Sequence, residues 1–151
     1  MTSARSTDVS AIADTLDAVY AVISGPIGQR RDFERMKTLF TPDARLTAMT
    51  AQGLRGGSLD DYIARSGPFL VEQGFTEAAL ANRIEVYGDL AQAWSSYEGH
   101  FTTDDGAPGV VCGINSFQLV CQPGGRWLVE SNLWQAETPQ TPLPADMEGV
   151  R

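Results

Sequence analysis

The sequence predicts an α+β domain in which helices come first and a curved antiparallel sheet follows. Apolar residues recur every three or four positions before Ser24 and again after Asp32, which is the period of helices with one buried face. From Thr76 onward the period changes to two, as in strands buried on one side. Short turn signals such as Gly88-Asp89 separate these strands, so we expect consecutive antiparallel neighbours that form one layer against the helices.

Length and charge limit the possible organisation and partners. A chain of 151 residues buries roughly 70% of its unfolded surface, so we assign residues 1–137 to one domain. Residues 138–151 contain three prolines and no hydrophobic period, which predicts a loose tail. The net charge of -8 argues against a nucleic-acid partner. No apolar run reaches the roughly 20 residues that cross a bilayer, and no signal peptide is apparent, so we expect a cytoplasmic protein with no membrane partner.

The metal-ligating residue types are few. Cys112 and Cys121 fall on one predicted strand, which would separate them by roughly 30 Å, too far for a disulfide. A single histidine and no close cysteine pair leave too few ligands for a zinc site. We therefore predict neither a metal site nor a cofactor, although a carboxylate-bound ion stays possible.

The first helix is predicted to begin near Thr7 or Asp8, either of which can cap it, and to end before Gly25-Pro26. Its buried face holds the apolar positions Val9, Ile12, Ala13, Leu16, Val19, Tyr20 and Ile23. A buried tyrosine needs a partner for its hydroxyl. Tyr20 is therefore either a packing residue or the polar wall of a cavity.

Two shorter helices are predicted before the main strands. Asp32 can cap the second helix, which Pro42 ends, and a strand follows at residues 44–49. The glycines of residues 53–57 predict a flexible turn. Ser58, with Asp61 three residues later, resembles a capping box for the third helix, and residues 67–68, Gly-Pro, are expected to stop it.

Two amides interrupt otherwise apolar strand faces. Asn82 shares its face with Ile84 and Val86, and Asn115 shares its face with Phe117. Buried amides need hydrogen-bond partners. Each asparagine therefore either ties down backbone or binds the polar groups of a ligand.

The order of these elements resembles the nuclear-transport-factor-2-like superfamily, with its SnoaL-like branch the nearest match. The resemblance spans about residues 10–136 and is carried by Leu39–Ala44, Asn82–Ala91 and Gly125–Val129. It implies a cone in which a bent sheet wraps the long first helix, with a pocket at the wide end. It also implies a homodimer through the outer face of the sheet. Because members include isomerases, dehydratases, cyclases and noncatalytic binding modules, the resemblance transfers no chemistry by itself.

Only some of the catalytic positions implied by the resemblance carry a suitable residue in this chain. Tyr20 matches the tyrosine that donates a hydrogen bond to the substrate oxygen in the steroid-isomerase pattern. Asn115 lies near the second oxyanion donor, where the family has a carboxylic acid. The position of the general base holds Ala48, and the position of the dehydratase histidine holds Ala78.

His100 is the only imidazole and is suited to proton transfer near neutrality. Its strand has two faces: Trp94, Ser96, Glu98 and His100 share one, and Ala93, Ser95, Tyr97 and Phe101 share the other. If Tyr97 lines the cone, His100 lies outside. The inward face of this strand therefore decides whether His100 can act.

We predict a pocket protein that takes a small, largely apolar, ring-containing metabolite. If it is an enzyme, its residues favour cofactor-independent acid-base chemistry such as isomerisation or dehydration. The candidate catalytic residues are Tyr20, His100 and Asn115, and the candidate ligand-binding residues are Asn82, Trp94, Tyr97, Phe117 and Trp134. The alternative is a noncatalytic ligand-binding or dimerisation module, which the absent acid-base positions favour.

Overall fold

The computed structural model describes residues 2–149, with side chains from Asp8 onward. It confirms the predicted α+β class, with three helices and a curved, open sheet of six strands. The elements are α1 (Thr2–Ile23), α2 (Phe33–Lys37), β1 (Phe40–Thr50), β2 (Gly53–Ser58), α3 (Leu59–Glu72), β3 (Phe75–Tyr87), β4 (Leu90–Thr102), β5 (Pro108–Cys121) and β6 (Trp127–Ala136). A short 3₁₀ helix, Ala145–Met147, follows. The predicted cap at Thr7 falls among side chains outside the described part.

The sheet has the strand order β2-β1-β6-β5-β4-β3. Short turns make β3 to β6 an antiparallel meander, as predicted. The sheet is nevertheless mixed, because β1 pairs with β6 in parallel. The hairpin of β1 and β2 forms earlier in the chain and docks on the edge that β6 leaves open, so its direction is not set by a tight turn.

Helix α1 packs on the inner face of the sheet and forms the centre of the core. Ile12 and Leu16 are fully buried, and they pack with Phe117 of β5 and Val129 of β6 in one apolar cluster. Each large apolar side chain buried in this way contributes about 1.5–3 kcal/mol. Within the sheet, α1 contacts mainly the edge strand β3 and, to a smaller extent, β6.

The predicted caps hold the two short helices. The Asp32 carboxylate accepts a hydrogen bond from the Arg35 amide, 3.0 Å away. Ser58 and Asp61 form a complete capping box. Satisfying these amides stabilises a helix end by about 1 kcal/mol.

Several predicted boundaries are wrong. Helix α1 begins at Thr2, before Asp8, and α2 ends at Lys37, so that Pro42 lies in β1. Residues 53–57, expected to be a flexible turn, form strand β2, where a Cβ at Gly56 would lie 2.6 Å from the Leu46 carbonyl oxygen. Glycine is thus required for close strand approach there. Helix α3 also continues through Pro68 to Glu72, because burying Leu70 offsets the cost of the missing backbone hydrogen bond.

The tail is packed, in contrast to the loose segment predicted from its prolines. Leu143 and Met147 are 6% and 2% exposed, and Asp146 forms an ion pair with Arg83 of β3. The tail therefore runs from the end of β6 to the opposite edge of the sheet across its outer face. Burial of two large apolar side chains outweighs the conformational entropy that the composition suggested.

Within residues 2–149, none of the helices combines the length and hydrophobicity needed to span a bilayer. Cys112 and Cys121 both lie on β5 and are thiols.

Candidate functional site

A cavity of about 580 Å³ lies between the inner face of the sheet, the last turn of α1 and α3. This volume is typical of sites for small molecules. Its walls are mainly apolar, and its exposed lining residues mark the mouth: Met49, Ala51, Phe69, Gln135 and Thr138.

Aromatic side chains form much of the cavity wall. Tyr20 meets Phe117 edge to face with ring centroids 6.2 Å apart, and Tyr62 of α3 meets Trp134 in the same way at 6.3 Å. Such pairs stabilise the wall by about 0.5–1.5 kcal/mol beyond their buried area. Their flat faces suit a ring-shaped ligand.

The polar part of the wall comes from one row across the sheet. Strand register places Ser95, Asn115, Trp134 and Ala48 side by side on β4, β5, β6 and β1. Because alternate residues of a strand face the same side, this whole row points toward α1. Ala48 lines the cavity, so the position that the resemblance matches to a general base carries no acid-base group here.

Tyr20 is the centre of a hydrogen-bonded chain. Its hydroxyl oxygen lies 2.7 Å from Ser95 Oγ and accepts a hydrogen bond of 3.0 Å from Asn115 Nδ2. Asn132 Nδ2 in turn donates to Asn115 Oδ1 over 3.1 Å. Burial raises the pKa of the Tyr20 phenol far above its ordinary value, against smaller opposing effects of Ser95 and Asn115. Tyr20 therefore stays protonated and can act as a hydrogen-bond donor.

Asn132 completes this network at a cost. Its Oδ1 is the one buried side-chain oxygen in the described part of the chain that has no hydrogen-bond partner. An unpaired buried acceptor destabilises a fold by about 1–3 kcal/mol. The side chain is held in place to support Asn115 despite this cost, which is common at functional sites.

Glu77 is the single carboxylic acid among the described residues that line the cavity. It lies near the start of β3. Burial raises the pKa of its carboxyl group from 4.5 to about 7, although a hydrogen bond from Asn115 acts in the opposite direction. A carboxyl group with this pKa exchanges protons readily at neutral pH.

Ser24 ties this carboxylic acid to Tyr20. Its hydroxyl accepts a hydrogen bond of 2.9 Å from the Glu77 amide and donates one of 2.7 Å to the Tyr20 carbonyl. Next to it, the backbones of Gly25 and Phe75 exchange two hydrogen bonds. The end of α1 and the start of β3 are thereby fixed together, so the acid and the phenol keep a constant relative position.

Five of the predicted site residues line the cavity: Tyr20, Tyr97, Asn115, Phe117 and Trp134. Gly113 makes room for Tyr97, since a Cβ there would lie 2.5 Å from the tyrosine hydroxyl. The inward position of Tyr97 also settles which face of β4 looks into the cone.

Three predicted site residues lie elsewhere. His100 projects from the outer face of β4, where it is exposed and its Nε2 is 3.0 Å from Glu98 Oε1, so it cannot reach a ligand in the cavity. Trp94 lies on that same face, 43% exposed. Asn82 is exposed on the edge strand β3, where no further strand covers it. Strand alternation and edge position explain all three corrections.

Glu77 was missed because the phase of β3 changes along the strand. A register shift between Ala79 and Ala81 inserts one residue, which turns the side chains on either side of it to opposite faces. Counting back from Asn82 led to Ala78, whereas Glu77 is the residue that faces the cavity. The alternation of Phe75 with Glu77 was the available signal.

The described residues contain no group of three or more His, Cys, Asp or Glu side chains that could hold a metal ion. The cavity lining supplies one carboxyl group, from Glu77, together with the hydroxyls of three tyrosines and the amides of Asn115, Asn132 and Gln135.

No protein-family model and no curated protein matches this sequence, but solved structures resemble it closely in fold. A nuclear transport factor 2-like superfamily protein from Salmonella enterica serovar Typhimurium is 19% identical with a TM-score of 0.71, covering 89% of this chain and 94% of the other. An NTF2-like protein with a cystatin-like fold from Novosphingobium aromaticivorans is 16% identical with a TM-score of 0.70, covering 93% and 86%.

A candidate scytalone dehydratase from Novosphingobium aromaticivorans is 13% identical with a TM-score of 0.73, covering 99% of this chain and 97% of that one. Identities this low establish the fold and leave the activity open. The predicted resemblance is confirmed at this level, while the SnoaL-like branch stays a prediction. The chain therefore has the fold of the nuclear-transport-factor-2-like superfamily.

Proposed function

We propose that the cavity binds a small, largely apolar, ring-containing metabolite and catalyses a cofactor-independent proton transfer of the isomerase or dehydratase type. The observation that carries this proposal is a carboxyl group with a pKa of about 7, Glu77, in the same cavity as the Tyr20 hydroxyl. General acid-base catalysis is most effective when the pKa of the group lies near the working pH.

Glu77 takes the role of proton carrier that the sequence had suggested for His100. Its carboxylate accepts a proton from the carbon next to a ligand carbonyl, and the electrons of that C–H bond form an enolate. Returning the proton to another carbon of a conjugated system completes an isomerisation. Loss of a hydroxyl group from the β-carbon, protonated as it leaves, completes a dehydration.

Tyr20, oriented by Asn115, stabilises the charge that develops on the enolate oxygen. The Tyr20 oxygen accepts a hydrogen bond from Asn115, and when Ser95 also donates to it, the phenol proton is free for the ligand. A preorganised donor of this kind is worth about 3–4 kcal/mol in the transition state. Tyr97, Phe117 and Trp134 supply the apolar wall that holds the ring.

The structural neighbours are compatible with ring-containing ligands without identifying one. They include the candidate scytalone dehydratase and the beta subunit of a candidate aromatic-ring-hydroxylating dioxygenase. These activities belong to those proteins. They support a test with small cyclic ketones.

Deuterium exchange tests the proposed reaction without the natural substrate. β-Tetralone is an uncharged bicyclic ketone, and NMR in deuterated water follows the loss of its α-protons. We expect the wild-type protein to accelerate this exchange and Glu77→Gln to reduce the acceleration at least about 100-fold. Glu85→Gln, the same change on the exposed side of β3, is the control and should exchange at the wild-type rate.

Noncatalytic binding is the second candidate function, and the alanine at position 48 favours it. In that case the ketone binds, as measured by calorimetry, but its protons exchange no faster than in buffer. If wild type and Glu77→Gln catalyse deuterium exchange at the same rate, the proposed role of Glu77 is also contradicted.

We also propose that the outer face of the sheet pairs with a second copy of the chain, as the resemblance implies. Trp94 and Leu133 are 43% and 46% exposed there, in one register row with Ser116 between them. Exposed apolar rows of this kind are typical of interfaces. Leu133→Asp should shift the mass measured by light scattering from dimer to monomer, and a wild-type monomer would refute the pairing.

A further inference from the structure

The cavity has an unusual balance of charge. Among its described lining residues there is one carboxylic acid, Glu77, and no lysine, arginine or histidine. The three lining tyrosines, Tyr20, Tyr62 and Tyr97, have pKa values that burial raises above the ordinary range, so they are neutral. A ligand carboxylate or phosphate would therefore meet a negative charge and no positive one.

Neighbouring arginines do not supply the missing positive charge. Arg31 is buried close to the end of α1, but its side chain donates to the carbonyls of Ile23, Pro26, Gly25, Gln29 and Leu70. These bonds use all five N–H groups of a guanidinium. Arg65 of α3 acts on Tyr62 electrostatically and does not line the cavity.

The remaining charges around Glu77 also disfavour a negatively charged ligand. Burial is the main cause of the raised pKa of Tyr20, and the negative charges of Glu77 and Asp17 raise it slightly further. Helix α1 directs its last turn, with Tyr20 and Ile23, at the cavity, and a helix carries partial negative charge at that end. The whole chain has a net charge of -8.

We infer that this cavity selects uncharged ligands that carry a hydrogen-bond acceptor, such as cyclic or aryl ketones, and rejects carboxylates and phosphate esters of the same shape. This inference rests on the proposed function, since it names the substrate class of the same site. The acceptor oxygen binds Tyr20, and the absence of a second charge leaves Glu77 able to ionise. Two like charges in one apolar cavity repel strongly because the local dielectric constant is low.

A pair of ligands with nearly the same shape tests this selection. Methyl β-naphthyl ketone is neutral, and β-naphthoate carries a carboxylate in place of the acetyl group. We expect calorimetry at about pH 8 to show the ketone binding about 100-fold more tightly to the wild-type protein. Glu77→Gln removes the repulsion and should narrow this ratio to about 10-fold or less, whereas Glu85→Gln should leave it unchanged.

The pH dependence separates repulsion from a poor fit. At about pH 5.5 Glu77 holds its proton while naphthoate is still ionised. In the wild type, the ratio of ketone affinity to naphthoate affinity should therefore be smaller at this pH. In Glu77→Gln the same ratio should not change with pH. A ratio that is equally large in both proteins and at both pH values would show steric exclusion and overturn the inference.

The remaining outcomes are also decisive. Equal affinity for ketone and carboxylate at about pH 8 would overturn the charge selection and leave the proposed function standing. If neither compound binds, the cavity does not accept apolar rings, and the proposed function fails together with the inference.

Discussion

Replacing Glu77 with glutamine should stabilise the protein at alkaline pH and have little effect near pH 5. The folded protein holds the Glu77 proton up to a pKa of about 7, whereas the unfolded chain releases it at about 4.5. Between these two values the folded state binds more protons than the unfolded state, so its stability falls as pH rises. Glutamine has nearly the same shape as glutamate and does not ionise, so Glu77→Gln should not lose stability in this way as the pH rises.

The size of the effect follows from the two pKa values. A pKa that rises from 4.5 to about 7 corresponds to about 3 kcal/mol, because each tenfold change is worth about 1.4 kcal/mol. Part of this interval lies below pH 5. We therefore expect Glu77→Gln to have a higher free energy of unfolding than the wild type at pH 8. This excess should be about 2–3 kcal/mol larger at pH 8 than at pH 5.

Urea denaturation at both pH values measures this difference for wild type, Glu77→Gln and Glu85→Gln. Glu85 lies exposed on the same strand and accepts a hydrogen bond from Gln92, so its replacement should change stability by less than about 0.5 kcal/mol. The reasoning is refuted if Glu77→Gln has the same effect at both pH values. A Glu77→Gln protein that is less stable than the wild type at pH 8 would show that the effect of the Glu77 charge has the opposite sign.

Three further substitutions test the site and its support. Tyr20→Phe keeps the ring but removes the hydroxyl, so ketone exchange followed by NMR should slow about 100- to 1000-fold. Arg31→Lys cannot reproduce the five-donor fork, and urea denaturation should show a loss of about 3 kcal/mol. Leu143→Ala opens a cavity under the tail and should lower the free energy of unfolding by about 2–3 kcal/mol, which a loose tail would not do.

Exposed neighbours provide matched controls for these substitutions. Tyr87→Phe, on a side chain that is 81% exposed, should leave exchange unchanged. Arg30→Lys and Pro142→Ala alter exposed residues beside Arg31 and Leu143, and each should change stability by less than about 0.5 kcal/mol. Equal effects of a substitution and its control would contradict the assigned contact.

Local periodicity was enough to predict the scaffold and half of the site. The three-four spacing around Leu16 and Tyr20 identified the buried face of α1, because that face depends on neighbouring residues alone. The period of two on β4 and β5 grouped Tyr97 and Asn115 on the faces that look inward. It also showed that His100 and Tyr97 cannot share a face.

The rest depends on contacts between distant segments. The bulge near Ala79 adjusts β3 to the curvature beside β4, and nothing in a strand's own period announces such an insertion. Helix α3 continues past Pro68 because Leu70 finds a buried site. The tail packs because Met147 does the same. In each case tertiary burial overrides a local signal that was interpreted correctly on its own terms.

The hydrogen bonds of Ser24 join two parts of the site that lie on different elements of the fold. Tyr20 and Asn115 come from a central helix and a strand with neighbours on both sides, whereas Glu77 comes from the edge strand β3. The Ser24 hydroxyl and the backbone hydrogen bonds between Gly25 and Phe75 set the alignment between them. Changes at one edge of the sheet can thus move, replace or remove the acid while Tyr20 and Asn115 stay in place, which offers a route by which one scaffold acquires new proton chemistry.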